Sequence, residues 1–135
     1  MAWSYLETRL EGGRVLTVEP DQHHCWMAGK HGRDTQLWKL EASGCLRNKA
    51  HMDRCLGLET HSVGGGVYLQ VEDMNIHTMQ WRYEEEYLTN QADTSPVNLA
   101  LNVIWADIPL VTDGAAVNVI RKDGTLSMHW RFVEP

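Results

Sequence analysis

Apolar and polar residues alternate along this chain in short runs: SYLETRL (4–10), RVLTVE (14–19), TQLWKLE (35–41), GVYLQVE (66–72), LALNVIW (99–105), AVNVIRK (116–122) and SMHWRFV (127–133). A period of two marks a strand with one buried face. The runs are separated by turn formers, EGG (11–13), SVGGG (62–66), TDG (112–114) and KDG (122–124). Glycine and aspartate suit the backbone angles of tight turns. Many short strands at close intervals predict an all-β sandwich or barrel. The best helix candidate, MQWRYEEEYLTNQ (79–91), does not hold its apolar residues on one face at helical spacing.

The runs repeat. QLWKL (36–40), MQWRY (79–83) and MHWRF (128–132) each centre on a tryptophan, and Trp38, Trp81 and Trp130 are 43 and 49 residues apart. Three similar openings precede them: YLETRLEGGRVLTVE from Tyr5, CLRNKAHMDRCLGLE from Cys45 and YLTNQADTSPVNLALNV from Tyr87. Each opening contains a strand, Leu16–Val18, Leu56–Leu58 or Leu101–Val103. The 135 residues therefore read as one domain of three units, about 5–43, 44–86 and 87–135, each with four short strands. One such unit cannot cover its own apolar face. Three around a pseudo-threefold axis can close a barrel and remove its exposed edges. The three tryptophans then become equivalent core pillars, each contributing about 1.5–3 kcal/mol through burial.

Composition narrows the function classes. Apolar residues make up 43% of the chain, enough for a packed core. The net charge of −6 argues against a basic nucleic-acid footprint. No run of apolar residues is long enough for a membrane-spanning helix, so membrane insertion is not expected. The start MAWSYLETRLEGG lacks the basic-then-apolar pattern of a signal peptide. The expectation is a cytoplasmic chain, or one secreted by a non-classical route. Cys25, Cys45 and Cys55 are too few for a disulfide framework. A bridge between Cys45 and Cys55 is left open, on the ground that the two can lie on neighbouring strands.

The repeated Gln–x–Trp phrase resembles the ricin-type β-trefoil family, and QLWKLEASGCLRNKAHMDRCLGLE (36–59) carries the likeness best. The likeness runs over about Tyr5–Val133. It implies an all-β fold, a β-trefoil with three pseudo-symmetric four-strand repeats. It also implies a non-catalytic lectin that binds galactose- or N-acetylgalactosamine-type glycans of glycoproteins or glycolipids, with no cofactor. The family pattern places an acid just after the second strand's leucine. Here that position holds Thr17, Gly57 and Asn102, so no repeat has the acid. The pattern also places an aromatic about twelve residues before the closing tryptophan. That count lands on Trp26, on Leu69 beside Tyr68, and on Asn118.

The candidate sugar-binding residues follow repeat by repeat. In the first, the loop EPDQHHCWMAGKHGRD (19–34) offers Trp26 as a stacking ring, with Asp21, His24 and Gln36 to grip hydroxyls. In the second, Tyr68 can stack, with Asp73 and Asn75 as polar partners. In the third, Trp105 is the platform and Asp107 its partner. His23, His24, Cys25 and His31 match no standard zinc spacing, so no metal is expected. Glu84–Glu86 read as a solvated connection between repeats. No nucleophile–base pair or spaced carboxylate pair stands out. Shallow sites of this kind reach about −4 to −6 kcal/mol, mM to tens of μM, so several sites or a homodimer would supply avidity. Two other functions fit the same fold: a protease inhibitor acting through the loop at 91–98 or 61–66, and an assembly module without ligand.

Overall fold

A computed structural model of the chain describes residues 3–18, 24–59, 64–73, 75–91, 99–104 and 113–135. Among them are twelve strands, four to each repeat. The first repeat holds β1 (Tyr5–Thr8), β2 (Val15–Val18), β3 (Cys25–Ala28) and β4 (Trp38–Leu40). The second holds β5 (Leu46–Asn48), β6 (Arg54–Leu58), β7 (Val67–Val71) and β8 (Trp81–Glu84). The third holds β9 (Tyr87–Asn90), β10 (Leu99–Val103), β11 (Val117–Arg121) and β12 (Trp130–Val133).

The last strand of each repeat pairs antiparallel with the first strand of the next: β4 with β5, β8 with β9, and β12 with β1. The chain thereby becomes a ring, with Tyr5 opposite Val133 and Thr8 opposite Trp130. Each closing tryptophan also ties back to the residue at, or just before, the start of its repeat. The backbone N–H groups of Trp38, Trp81 and Trp130 donate to the carbonyls of Ser4, Gly44 and Glu86, each at 2.8 Å. The remaining strands form three hairpins, β2–β3, β6–β7 and β10–β11. Bridges His24↔Tyr68, Gly66↔Asn118 and Ala116↔Trp26 join these hairpins in a triangle. This arrangement, a closed barrel capped by a hairpin triplet, is the β-trefoil.

The interior is built in threefold sets. Trp38, Trp81 and Trp130 are buried with Leu6, Leu46 and Leu88 and with Leu16, Leu56 and Leu101. Each indole N–H finds the second-strand leucine of its own repeat: Leu16 O at 2.9 Å, Leu56 O at 2.7 Å and Leu101 O at 2.9 Å. A buried indole without an acceptor would be costly, so this bond fixes both the ring and the strand. A one-turn 3-10 segment precedes each of these three tryptophans, at Asp34–Gln36, His77–Met79 and Leu126–Met128. Asn48 and Asn90, at equivalent places, donate their amides to Thr35 O and Thr78 O in those turns.

Local chemistry explains several details. Gly44 has φ 96°, and a Cβ there would lie 3.2–3.3 Å from Gln80 and from Trp81 N. A side chain would force apart the approach that receives the Trp81 N–H. The segment 79–91, the best helix candidate in the sequence, is instead the hairpin β8–β9, with Glu84 opposite Tyr87. Its two turn residues, Glu85 and Glu86, have φ 54° and 69°, the left-handed pair of a two-residue hairpin turn. The acidic run is the solvated connection between the second and third repeats, and it is also a strained turn. Cys45 and Cys55 form a disulfide with Cα atoms 5.3 Å apart, and Met79 packs against it.

Glu7 on β1 is buried, yet it sits in an ion cluster. Arg131 on β12 reaches its Oε2 at 2.6 Å, and Lys30 reaches its Oε1 at 2.5 Å. Burial pulls the Glu7 carboxyl upward, but the bonds and charges of Lys30 and Arg131 outweigh it and hold the carboxyl below its ordinary range. The seam that closes the ring therefore carries a buried carboxylate between two cations.

Candidate functional site

Register defines one outward position per repeat. Trp26 lies opposite Thr17, Tyr68 opposite Gly57, and Asn118 opposite Asn102. Cys25 and Met27 on β3 point inward, and so do Val67, Leu69, Val117 and Val119. Trp26, Tyr68 and Asn118 are each half-buried on the other face of their strands. Tyr68, and not Leu69, is therefore the second-repeat equivalent of Trp26. The count of twelve misses by one there, because 13 residues separate Tyr68 from Trp81.

His24 does not serve its own repeat. Its strand bridge brings it to Tyr68 of the second repeat, where the two rings stack at 5.6 Å between centroids and 26° between planes. The sequence assigned these residues to separate sites; the hairpin triangle brings them together. Trp26 is bridged instead to Ala116 of the third repeat. Asp113, just before it, accepts from Gly29 N at 2.9 Å and pairs with Arg14 at 2.7 Å. A cation, a carboxylate and an indole thus border the first outward position.

Gln36 requires a correction. It is fully buried. Its Oε1 accepts from His31 N at 2.8 Å and Gly32 N at 3.4 Å, and its Nε2 donates to Gly29 O at 2.7 Å and Thr17 Oγ1 at 3.2 Å. All its bonding capacity is engaged inside the chain. The residue winds the β3–β4 loop around its own amide and presents nothing to a ligand.

Asp73 and Asn75 are exposed in the β7–β8 loop, where Asn75 N donates to Asp73 Oδ1 at 3.0 Å and Ile76 N to Asp73 O at 3.0 Å. They form a turn, and no hydrogen bond links either to Tyr68. The floor of this repeat is bare. A Cβ on Gly57 would meet Gln70 Nε2 at 2.9 Å and Met79 Cγ at 3.1 Å, so those side chains fill the space that Thr17 and Asn102 occupy elsewhere. Asp21, Trp105 and Asp107 lie outside the described residues. So do 92–98 of the first inhibitor-loop segment and 61–63 of the second.

The third repeat holds a cavity of about 360 Å³ that the sequence did not reveal. Its wall includes Asn102, Asn118, Thr125, Ser127, Asp123 and the aliphatic Ile120, Ile104 and Leu126. Ser127 Oγ donates to Asn102 Oδ1 at 2.7 Å, and Asn102 Nδ2 donates to Asn118 Oδ1 at 2.9 Å. Ser127 has one hydroxyl proton, so in its 3.2 Å contact with Thr125 the threonine is the donor. The chain Thr125–Ser127–Asn102–Asn118 is fixed in direction, each member donating to the next. Asn102 and Asn118 occupy the positions where the family pattern has an acid and an aromatic.

Among the described residues, the other candidate reactive groups are silent. Burial pushes the Cys25 thiol far up, so it stays protonated and unreactive. His31 Nδ1 accepts from Arg33 N at 3.0 Å and does not converge with His24. Among the described residues, Cys45, Cys55 and Glu72 bring ligand atoms within 4.8 Å of one another. The two sulfurs are joined to each other, which removes both thiolates. Glu72 is itself held by Arg47 at 2.6 Å, and Arg47 also bonds Glu41. The hydrogen bond from Arg47 holds the Glu41 carboxyl below its ordinary range.

No family model matches the sequence, and no curated protein matches it. Solved structures do. The Vibrio vulnificus hemolysin/cytolysin β-trefoil lectin, solved with N-acetyl-D-lactosamine bound, superposes with a TM-score of 0.81 at 18% identity, over 99% of this chain and 95% of that one. The C-half of an earthworm R-type lectin, in complex with GalNAc, gives 0.77 at 16% identity over the full length of both. A designed threefold-symmetric protein, ThreeFoil, gives 0.75 at 22% identity, over 98% of this chain and 99% of that one. At such identities the likeness establishes the fold.

Proposed function

We propose that this chain is a carbohydrate-binding β-trefoil lectin for galactose- and N-acetylgalactosamine-type glycans, acting through shallow and inequivalent sites. The observation that carries the proposal is the outward position repeated in register: Trp26 and Tyr68 as flat rings, and Asn118 in the wall of the third-repeat cavity. A half-exposed indole offers an apolar plane to the C–H face of a pyranose, while nearby polar groups orient the hydroxyls. The sugar complexes of the Vibrio and earthworm structures support the same use of the fold. Fold alone does not dictate function, so the proposal rests on the residues at the repeated position.

In this reading the first site uses Trp26 with groups around Asp113 and Arg14, and the second uses Tyr68 together with His24. Trp105 and Asp107 remain partners for the third site. Each site binds with about −4 to −6 kcal/mol, so function depends on several sites engaging one glycan surface. Titration with methyl galactoside and methyl N-acetylgalactosaminide, followed by tryptophan fluorescence, tests the proposal. Saturable quenching that weakens in Trp26→Ala is expected. A flat response to both sugars at tens of mM, with a glycan array also blank, would refute it.

A further inference from the structure

The third-repeat cavity differs in kind from the other two positions. Among the described residues it has no ring at the repeated position, since Asn118 stands where Trp26 and Tyr68 stand. Its deepest polar group is neutral, and both ends of that group are engaged: Asn102 donates to Asn118 and accepts from Ser127. Each end keeps one further position, a single N–H and a single lone pair, and among the described residues no carboxylate stands at the floor to accept from a pair of ring hydroxyls, which is how a site tells an axial hydroxyl from an equatorial one.

More is available on the other polar groups of the cavity. The Asn118 amide N–H groups have no partner among the described residues. Thr125 Oγ1, having given its proton to Ser127, keeps lone pairs to accept with. Asp123 uses Oδ1 to accept from Thr125 N at 2.9 Å and keeps its second oxygen. Ile120 completes an aliphatic wall with Ile104 and Leu126, which are 48% and 52% exposed. A donor, an acceptor and an apolar wall in one small cavity complement one chemical group, a secondary acetamide. Its carbonyl accepts from Asn118, its N–H donates to Thr125 or Asp123, and its methyl covers the aliphatic wall. A carboxylate would meet Asp123, and a bare hydroxyl would leave the wall wet.

We infer that this cavity reads the acetamido group of an N-acetylhexosamine and is indifferent to the configuration at C4, so that it accepts N-acetylglucosamine as readily as N-acetylgalactosamine. The inference rests on the carbohydrate reading above and narrows it at one site. It makes the third repeat an N-acyl reader beside two ring-stacking positions.

The test is a titration of methyl-labelled protein, followed by NMR, with the methyl glycosides of N-acetylgalactosamine, N-acetylglucosamine, galactose and glucose. The methyl signals of Ile104, Ile120 and Leu126 are expected to move with both N-acetyl sugars, with affinities within about threefold of each other. Galactose and glucose are expected to bind there at least about tenfold more weakly. Leu126→Ala, at a half-exposed position, is expected to weaken both N-acetyl sugars about fivefold, from the loss of apolar contact. Galactose matching N-acetylgalactosamine at these methyls would overturn the acetamido assignment and leave the lectin proposal standing. So would movement confined to methyls around Trp26 and Tyr68, with those of Ile104, Ile120 and Leu126 unmoved. A strong preference for one C4 epimer would overturn the indifference. No response to any sugar would remove the lectin proposal and this inference with it.

Discussion

The indole N–H of Trp81 donates to the carbonyl oxygen of Leu56 at 2.7 Å, joining the closing strand of the second repeat to its inner hairpin. Trp38 with Leu16 and Trp130 with Leu101 repeat the bond at 2.9 Å. Replacing any of these tryptophans by phenylalanine keeps most of the apolar volume but strands a buried carbonyl. Each Trp→Phe change is expected to cost about 1–3 kcal/mol, with the three costs alike because the surroundings are alike. Urea unfolding of the three variants checks this. A cost confined to one repeat would contradict the equivalence.

The Cys45–Cys55 bridge closes a loop with a sequence separation of 10 beneath Met79. Removing it as Cys45→Ala/Cys55→Ala is expected to cost about 2–3 kcal/mol by the loop-closure argument. Denaturant midpoints of the oxidised protein, the reduced protein and the double variant measure it. Reduction should lower the midpoint of the parent and leave the double variant unmoved.

Glu85 and Glu86 hold left-handed backbone angles without glycine or asparagine. The double change Glu85→Asn/Glu86→Gly suits the two-residue hairpin turn and relieves adjacent like charge. It also removes the exposed pair of Glu86 with Arg9 at 3.4 Å, which is worth little. A net gain of about 1 kcal/mol is expected, seen as a rise of several degrees in Tm. A fall in Tm would mean that the acidic turn contributes more through its partners than it loses through its backbone.

Glu7 ties stability to pH. Its carboxyl lies lower in the folded chain than the ordinary 4.5. The unfolded state therefore takes up protons first, and the associated stability is present above pH 4.5 and lost as pH falls through the lower folded value. Glu41, lowered by Arg47, adds in the same direction. The denaturation midpoint is expected to fall below about pH 4.5, and Glu7→Gln to flatten that fall while lowering stability at pH 7. An unchanged acid limb in Glu7→Gln would assign the loss to other carboxylates.

Much of the architecture was legible in the sequence because burial imposes period and spacing. Trp38, Trp81 and Trp130 mark the repeats since each indole needs the same cage, and alternating runs marked β1, β2, β4, β7, β10, β11 and β12. Strand β3 was read as part of a polar loop, because Cys25 and Met27 are its only inward side chains and histidines precede them. The β8–β9 hairpin was obscured by a turn that lacks glycine.

The site was harder to read. Trp26 and Tyr68 stood out as aromatics, but the inward direction of Gln36 depends on how the loop 29–36 closes, and no local pattern encodes that. The third-repeat cavity is assembled from neutral residues on β10, β11 and the turn before β12. None of Asn102, Asn118, Thr125 or Ser127 is conspicuous alone. The available signal was positional: Asn102 and Asn118 fall where the first repeat has Thr17 and Trp26.

The seam between β1 and β12 has a bearing on biosynthesis. Strand β1 finds its ladder partner only once β12 has been made, so no fragment that stops short of β12 can complete the ring. Until Arg131 arrives, Glu7 has nothing on its β12 side to balance its charge and is better left in water. The first repeat must wait with that edge open, and completion of β12, not local propensity, sets the earliest moment at which the closed barrel exists.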